Sequence, residues 1–267
     1  MVDYTTISDS QVDPNAPLTS ELMTALRDNP IAIAEQSTGA PIIVGAVYDY
    51  QEFLTSGTWT KPSDAATGDK VMVHVVGGGQ GGEYNPAGGS SDTTATGGRG
   101  GRGVIYNFED IDDLSSTETV VVGAGGAGRS STGAGISGGT SSFGTPSTEN
   151  YIACSDTSST IYKNGDTRSL TSGIDIEGGS GGSSLFGGGG GGNSSGRNDP
   201  RNGPTGTNGA AAFYGGTGGD GRDLTDGVAT DGSFPGGGGG ASVMDSSPSG
   251  AGADGVVRVW CIRPQGV

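Results

Sequence analysis

Residues 71–76 (VMVHVV) run directly into residues 77–82 (GGGQGG), so a short β pattern becomes a glycine run with no turn residue between them. The same junction recurs where TVVV meets residues 123–128 (GAGGAG). It recurs in reverse order where residues 97–103 (GGRGGRG) precede VIYNF, and where residues 250–255 (GAGADG) precede VVRVWCIR. The pattern predicts strands that lead into glycine segments, and glycine segments that return to strands.

Glycine dominates the composition of this chain. Of the 57 glycines in 267 residues, 52 lie between positions 77 and 255. Collagen needs glycine at every third position and much proline, whereas this sequence lacks that period and has 12 prolines. Disorder is another interpretation of such a composition. The β patterns at the edges of the glycine runs argue against disorder, because a flexible linker has no need to keep them.

An ordered glycine run has few backbone conformations to choose from. A helix is disfavoured because each glycine costs about 1 kcal/mol relative to alanine, and a strand gains nothing from side-chain packing. A polyproline II helix tolerates glycine and lets neighbouring helices approach closely enough for interchain N–H···O=C bonds. We therefore predict a mostly β fold, in which a small β-sandwich-like base carries a bundle of polyproline II helices with loops at its distal end.

Two sequence signals place strands within the base. Residues 71–76 and 256–263 bracket the glycine region and are rich in β-branched residues, so they are predicted to be neighbours in one sheet. The Asn-Gly pair within residues 162–168 predicts a hairpin.

The first 45 residues differ in kind from the rest. The stretch SELMTALRD predicts a short helix over residues 20–28, which Thr19 or Ser20 caps and Pro30 ends. A helix of this length is unstable alone in water, so it should pack on another protein, on a copy of itself or on the following domain. We expect residues 1–45 to form an attachment and oligomerisation segment, and residues 46–267 to form one glycine-rich domain.

Long glycine runs recur through the second domain at residues 77–82, 97–103, 123–128, 133–139, 178–182, 187–192, 215–221, 236–240 and 250–255. If each run crossed the bundle once, their number would be even, so either one run is not a full crossing or one crossing is poor in glycine. Loops 83–96, 129–132 and 241–249 are predicted to lie together at the far end of the bundle. The positions of loops 145–177, 193–213 and 222–235 stay open.

The charge and the residue content disfavour several classes of function. A net charge of −16 disfavours nucleic acid and anionic lipid surfaces as partners. The first residues are polar and no stretch reaches transmembrane length, so we expect synthesis in a cytoplasm and no membrane insertion. Two cysteines make no disulfide framework. His74 is the single histidine, and neither G-x-S-x-G nor C-x-x-C occurs, which disfavours hydrolase and zinc chemistry.

Two glycine motifs resemble ligand sites. GAGGAG at 123–128 matches a dinucleotide fingerprint, but RSSTGAG follows it where a helix is required. GGTGGD at 215–220 matches the start of one calcium-binding repeat, and Asp223, Asp226 and Asp231 follow it, so a loop calcium ion stays open. We expect no enzymatic activity, no cofactor and no metal.

Four blocks of the sequence, taken in order, resemble a known family. They are FLTSGTWTKP at 53–62, VMVHVVGGG at 71–79, TVVVGAGG at 119–126 and GVVRVW at 255–260. Together they look like the glycine-rich carboxy-terminal domain of bacteriophage tail fibres and related receptor-binding proteins, over about residues 46–267. The predicted bundle of polyproline II helices also resembles the glycine-rich tip adhesins of T-even-like phages. Residues 18–41 resemble the start of small phage proteins that dock onto a virion.

The resemblance implies a virion protein, from a phage or a gene transfer agent, that binds the bacterial surface through loops and has no catalytic residues. The implied partners are a cell-surface receptor (an outer-membrane protein or a surface glycan), other tail or head proteins that contact the N-terminal segment, and further copies of the chain, expected as a trimer. Two alternatives stay open, namely a purely structural head or tail fibre and a fibre-borne glycan depolymerase.

Aromatic and polar residues in the predicted loops are the candidates for receptor contact. Tyrosine among serine, glycine and asparagine is typical of an adaptable binding loop. The residues expected to contact the receptor are Tyr84, Asn85, Arg129, Val243, Met244, Tyr151, Phe213 and Tyr214. Some of the loop aromatics are expected to pack as loop cores or against the base, and others to be exposed. Tyr84 is expected to be a binding hot spot at the far end of the bundle.

Overall fold

The computed structural model describes residues 4–13, 17, 19–34, 47–86, 94–146, 150–157, 159–163, 166–169, 187–192, 194–195, 212–221, 228–243 and 247–263. The chain divides into two compact units. The first comprises Met1–Ala46 with Arg263–Val267, and the second comprises Val47–Ile262.

The first unit contains two helices, α1 (Asp9–Val12) and α2 (Ser20–Ala34). Thr19 caps α2, because the Leu22 N–H donates to Thr19 Oγ1 at 3.2 Å. The predicted start of this helix is therefore confirmed, whereas its predicted end, before Pro30, is not.

Helix α2 continues through Pro30, so the prediction that this proline ends the helix is wrong. Proline removes the hydrogen bond that an N–H would give to the carbonyl of Leu26. Leu26 lies on the exposed side of the helix, where water can satisfy that carbonyl. Ala32, beyond the proline, is fully buried, and its packing favours continuation of the helix.

The second unit is built mainly from β-strands, as the sequence predicted. The strands are β1 (Val47–Phe53), β2 (Gly57–Thr60), β3 (Lys70–Val76), β4 (Thr94–Ala95), β5 (Gly103–Phe108), β6 (Thr117–Val121), β7 (Ser141–Phe143), β8 (Asn150–Cys154), β9 (Ser159–Lys163), β10 (Asp166–Ser169), β11 (Ser194–Ser195) and β12 (Val256–Ile262). A short 3₁₀ helix, Ile111–Asp113, follows β5.

Two larger antiparallel sheets and one small one result. The four-stranded sheet has the order β1-β12-β3-β5, and the six-stranded sheet has the order β10-β9-β8-β7-β6-β2. Strands β4 and β11 form a separate pair. The predicted pairing of residues 71–76 with 256–263 is confirmed, because Val76 is opposite Val256. The predicted hairpin is also confirmed, because Lys163 is opposite Asp166.

Side chains from both larger sheets form one hydrophobic core. Phe143 of the six-stranded sheet packs against Trp59 and against Phe108 of the four-stranded sheet. Both cysteines are free and buried in this core. Burial raises the pKa of the Cys261 thiol to about 12, which keeps it protonated at neutral pH.

The glycine runs form a bundle in which the hydrogen bonds repeat every three residues. Each backbone N–H from Gly77 to Tyr84 donates to one of three antiparallel neighbours in turn, at donor–acceptor distances of 2.8–3.1 Å. The pairs are Gly77 to Arg102, Gln80 to Arg99 and Glu83 to Thr96 on one neighbour; Gly78 to Gly139, Gly81 to Ile136 and Tyr84 to Gly133 on the second; and Gly79 to Ala253 and Gly82 to Gly250 on the third. Three residues per turn is the period of the predicted polyproline II helix.

Three further segments run parallel to one another and are bonded in a cycle. Residues 187–192 donate to 215–221, these donate to 235–238, and residues 238–241 donate back to 187–192. The six bonds are Gly189 to Gly216, Gly192 to Gly219, Gly216 to Pro235, Gly219 to Gly238, Gly238 to Gly189 and Ala241 to Gly192. One bond per three residues between parallel segments matches the hydrogen-bond period of a collagen triple helix.

Among the described residues, one crossing of the bundle is poor in glycine, a possibility that the sequence left open. Residues 230–233 run antiparallel to 217–220, since Thr230 N–H donates to the Asp220 carbonyl and Ser233 N–H donates to the Thr217 carbonyl. This segment belongs to loop 222–235, whose position the sequence left open. The predicted run 178–182 lies outside the described residues.

Candidate functional site at the far end of the glycine bundle

The glycine-rich unit has two distinct ends. Val47 and Ile262 are opposite one another in the sheet, so the chain enters and leaves this unit at one side. The bundle begins at the other end of the same sheet, where Val76 and Val256 are paired. The hydrogen-bonded run from Gly77 to Asn85 leads away from this end of the sheet. The loops at the far end of this run therefore lie at the opposite end of the bundle from the sheet and from the paired chain ends Val47 and Ile262.

The structure brings the three predicted far-end loops together. Tyr84 exchanges hydrogen bonds with Gly133, and the Asn85 N–H donates to the Ser242 carbonyl at 3.0 Å. Ser249 joins two loops, because its Oγ accepts from the Arg129 N–H at 2.8 Å and donates to the Gly82 carbonyl at 2.7 Å. We call residues 83–86, 94–96, 129–134, 241–243 and 247–249 the far-end loops.

Two of the proposed contact residues are buried there, which corrects the expectation that Tyr84 is a binding hot spot. Tyr84 is 5% exposed and Val243 is 1% exposed. Tyr84 is enclosed because the segments containing Gly133 and Ser242 lie on both sides of it. Val243 packs with Ala95 and Ala241 in a small second core. These side chains hold the loops together and do not present a surface.

The surface of the far-end loops comes from small polar residues. Ser130, Ser131 and Thr132 are exposed, and so is Thr94. Asn85 is half-buried, with its Nδ2 donating to the Thr94 carbonyl at 3.0 Å. Arg129 is half-buried as well. Met244, another predicted contact residue, lies outside the described residues.

The remaining candidates lie elsewhere in the unit. Tyr151 is in β8 of the six-stranded sheet, opposite Tyr162. Phe213 and Tyr214 are 75% and 50% exposed, with their rings 4.7 Å apart in an edge-to-face pair. They precede Gly215, where an added Cβ would lie 2.1 Å from the Gly187 carbonyl oxygen, near the sheet end of the bundle. These three residues are therefore not part of the far-end loops.

Four polar side chains at the edge of the far-end loops, two of them within those loops, were not singled out from the sequence. Gln80, Glu83, Thr96 and Arg99 line a cleft of about 230 Å³, which Gly81, Gly97, Ala134 and Gly135 complete. A usable signal was present, because Gln80 interrupts GGGQGG and Arg99 interrupts GGRGG. A side chain within such a run is directed outward where neighbouring runs fill the other directions.

A second cavity, of about 450 Å³, lies in the base, with Thr58, Asp113, Glu118 and Asn150 among its lining residues. Glu118 is buried, and its carboxylate accepts the Ser115 N–H at 2.9 Å, a bond that fixes the turn before β6. The buried Glu118 carboxylate in this cavity therefore has a structural role.

The described residues contain no group of three or more histidine, cysteine or acidic side chains placed to hold a metal ion. Of the candidate calcium ligands, Asp231 accepts the Ala251 N–H at 2.7 Å. Asp223 and Asp226 lie outside the described residues. Across the described ranges, neither helix has the length and apolar character needed to cross a membrane.

Comparison with known proteins gives one positive result. A family model described as a glycine-rich domain matches residues 53–261. The matched region contains the six-stranded sheet, strands β3 and β5, nearly all of β12 and the described glycine runs, but only the last residue of β1. A search of curated proteins gave no match. The chain therefore belongs to the glycine-rich domain family.

Proposed function

We propose that the protein is a fibre protein of a phage-like virion, and that it adsorbs to the bacterial host surface through the far-end loops. The observation that carries the proposal is that the glycine-rich unit has its chain ends and its far-end loops at opposite ends. Its chain ends lie together at one side of the four-stranded sheet, at Val47 and Ile262, while the far-end loops close the opposite end of the bundle. Such a unit attached through its chain ends presents these loops outward.

The chemistry of the loops supports the same role. Loops on a rigid scaffold are where binding residues concentrate. Here the scaffold is the bonded bundle, and the exposed loop residues are small and polar, as in adaptable binding surfaces. Since Tyr84 is buried, the contact surface of the proposal consists of exposed residues such as Ser131 and Thr132 rather than of that ring.

The N-terminal unit fits the attachment role in this proposal. Met23 and Leu26 of α2 are each more than half exposed, which gives the helix an apolar side for other copies or virion proteins. We propose that this unit docks the protein on the particle as a trimer.

The chain offers a matched pair of sites for a test. The tripeptide Ser-Ser-Thr occurs at residues 130–132, in a far-end loop, and again at residues 115–117, where β6 begins in the base. All six residues are exposed. Ser131→Trp and Ser116→Trp therefore add the same bulk to the same local sequence at opposite ends of the unit.

The measurement is adsorption of particles carrying each variant to washed host cells, with the amount of protein on the particle determined in parallel. Ser131→Trp should weaken adsorption at least tenfold, and Ser116→Trp should leave it unchanged. If both variants adsorb like the unmodified protein while present on the particle, the proposal is wrong. A structural fibre is then the better description, and release of reducing sugar from host glycan would instead identify a depolymerase.

A further inference from the structure

The cleft at the edge of the far-end loops, which is partly formed by them, is built from side chains held in place by hydrogen bonds to the bundle. Gln80 Oε1 accepts the Arg99 N–H at 3.2 Å, and Gln80 Nε2 donates to the Gly135 carbonyl at 3.2 Å. Glu83 Oε2 accepts the Thr96 N–H at 2.9 Å. The cleft thus joins three segments of the bundle through fixed hydrogen bonds, and a ligand meets side chains that are already ordered.

These side chains have hydrogen-bonding atoms that are available to a ligand. Only one carboxylate oxygen of Glu83 is used by a hydrogen bond to a described residue. The Arg99 guanidinium makes no ion pair within the described part of the chain, and Arg99 is exposed. The cleft therefore offers a strong acceptor, a fork of N–H donors and the Thr96 hydroxyl, which both donates and accepts.

The size and charge of the cleft select the class of ligand. Its volume of about 230 Å³ is below the roughly 300 Å³ at which drug-sized sites begin, so it admits one small ring and not an extended chain. Glu83 repels a carboxylate or phosphate group, and Arg99 repels a cation. Because the walls contain no aromatic or large apolar side chain, an apolar ligand gains little there. A neutral, polyhydroxylated ring fits this pair of groups, because its hydroxyls can donate to Glu83 and accept from Arg99 without placing a like charge beside either.

We propose that this cleft binds one neutral saccharide residue of a bacterial surface glycan. The inference rests on the proposed function, because it names the class of receptor for the same end of the bundle. The Glu83 carboxylate accepts hydrogen bonds from sugar hydroxyls and the Arg99 guanidinium donates to them, while the glycine backbone of Gly81 and Gly97 forms the wall behind the ring.

The direct test uses the full-length protein and a panel of neutral hexoses, deoxyhexoses and N-acetylhexosamines at millimolar concentration, with glucuronic acid as the charged comparison. Saturation-transfer NMR should detect at least one neutral sugar. Arg99→Ala should weaken its binding at least tenfold, and Glu83→Gln, which can keep the bond to the Thr96 N–H, should weaken it less. Binding of glucuronic acid alone, or of no sugar in the panel, overturns the inference.

A steric pair separates a site in the cleft from a site elsewhere. Ala134 lines the cleft, whereas Ala127 is an exposed alanine on a neighbouring run outside it. Ala134→Trp should abolish sugar binding and Ala127→Trp should preserve it, with unchanged melting temperatures showing that both variants fold. If Arg99→Ala and Ala134→Trp both retain sugar binding, the cleft is not the site.

The adsorption assay distinguishes failure of the cleft from failure of the proposed function. If Ser131→Trp weakens adsorption and Arg99→Ala does not, the far-end loops bind the host without the cleft, and this inference alone fails. If sugar binding depends on Arg99 but no variant changes adsorption, the cleft is a saccharide site and the adsorption role is wrong.

Discussion

The β-sandwich and the glycine bundle of the same unit fill their interiors in different ways. In the sandwich, large side chains such as Trp59 and Phe143 are fully buried between the two sheets. In the bundle, backbones touch directly. A Cβ added at Gly188 would lie 1.9 Å from the Gly236 carbonyl oxygen, and one added at Gly191 would lie 2.1 Å from that of Gly239. One interior is therefore sensitive to lost volume, and the other is sensitive to any added atom.

The driving forces differ in the same way. The sandwich gains from burying apolar surface, at roughly 25 cal/mol per Å². The bundle has little such surface, and its segments are joined by backbone hydrogen bonds worth about 1 kcal/mol each in net terms. A buried N–H that loses its partner costs about 1–3 kcal/mol. The bundle therefore depends on the completeness of its bonding, which glycine makes possible by allowing close approach.

The largest effect is expected from adding one methyl group to the bundle. In Gly97→Ala the new Cβ would lie 1.9 Å from the Gly191 carbonyl oxygen. Because that atom is backbone within a bonded segment, no side-chain movement can relieve the clash. We expect loss of more than about 5 kcal/mol of unfolding free energy, or no folded protein, measured by denaturant unfolding.

Gly57→Ala is the control for this substitution. A Cβ there meets no atom closer than 3.7 Å, on the Phe53 ring, so stability should change by less than about 0.5 kcal/mol. A Gly97→Ala protein that unfolds at the same denaturant concentration as the Gly57→Ala protein would show that the bundle is not close-packed in solution.

A smaller effect is expected from removing side-chain volume in the sandwich. Phe143 is fully buried and contacts Trp59 and Phe108. Phe143→Ala should cost about 3–5 kcal/mol, as other large-to-small core changes do, and the protein should still fold at low temperature. If this variant is less stable than Gly97→Ala, the contrast between the two interiors is wrong.

The smallest effect is expected from alkaline pH, which should lower the free energy of unfolding through a buried thiol of the sandwich. Burial raises the pKa of the Cys261 thiol from its ordinary 9.0 to about 12. Below pH 9 the thiol is protonated in both the folded and unfolded states. As the pH rises from 9 towards 12, only the unfolded thiol ionises, so the folded state loses about 1 kcal/mol by pH 10 relative to pH 8.

Comparison with Cys261→Ala isolates this contribution, because other groups also titrate in the alkaline range. The unmodified protein should lose more stability between pH 8 and pH 10 than the variant does. Equal pH dependence in the two proteins would show that the folded thiol ionises near its ordinary pKa.

Much of the base could be predicted because its signals are local. Alternating and β-branched residues identified β3 and β12, and the Asn-Gly pair identified the β9–β10 hairpin. The end of α2 was missed, because burial of Ala32 and exposure of Leu26 are tertiary properties that outweigh the local effect of Pro30. The crossing at residues 230–233 was left undecided for a related reason, since its hydrogen bonds follow from its neighbours and not from its own glycine content.

The candidate site divides in the same way. The meeting of the far-end loops followed from the order of strands and runs, whereas the exposure of each side chain did not. Tyr84 lies in a sequence typical of a binding loop, yet it is buried by Gly133 and Ser242, which are distant in the sequence. Arg99 and Gln80 were passed over, because only the packing of three segments turns their outward positions into a cleft.

The sequence by itself determined that strands alternate with glycine runs and that the runs must pack backbone to backbone, because glycine has no side chain to pack. Tertiary structure alone decided which runs are interior. Residues 187–192 are buried throughout, whereas residues 123–128 are fully buried only at Gly123 and Gly126. A run that is surrounded by other runs leaves no space for a side chain at any position. A run at the surface leaves space on its exposed side. The number of neighbours around each run is set by the fold of the whole unit.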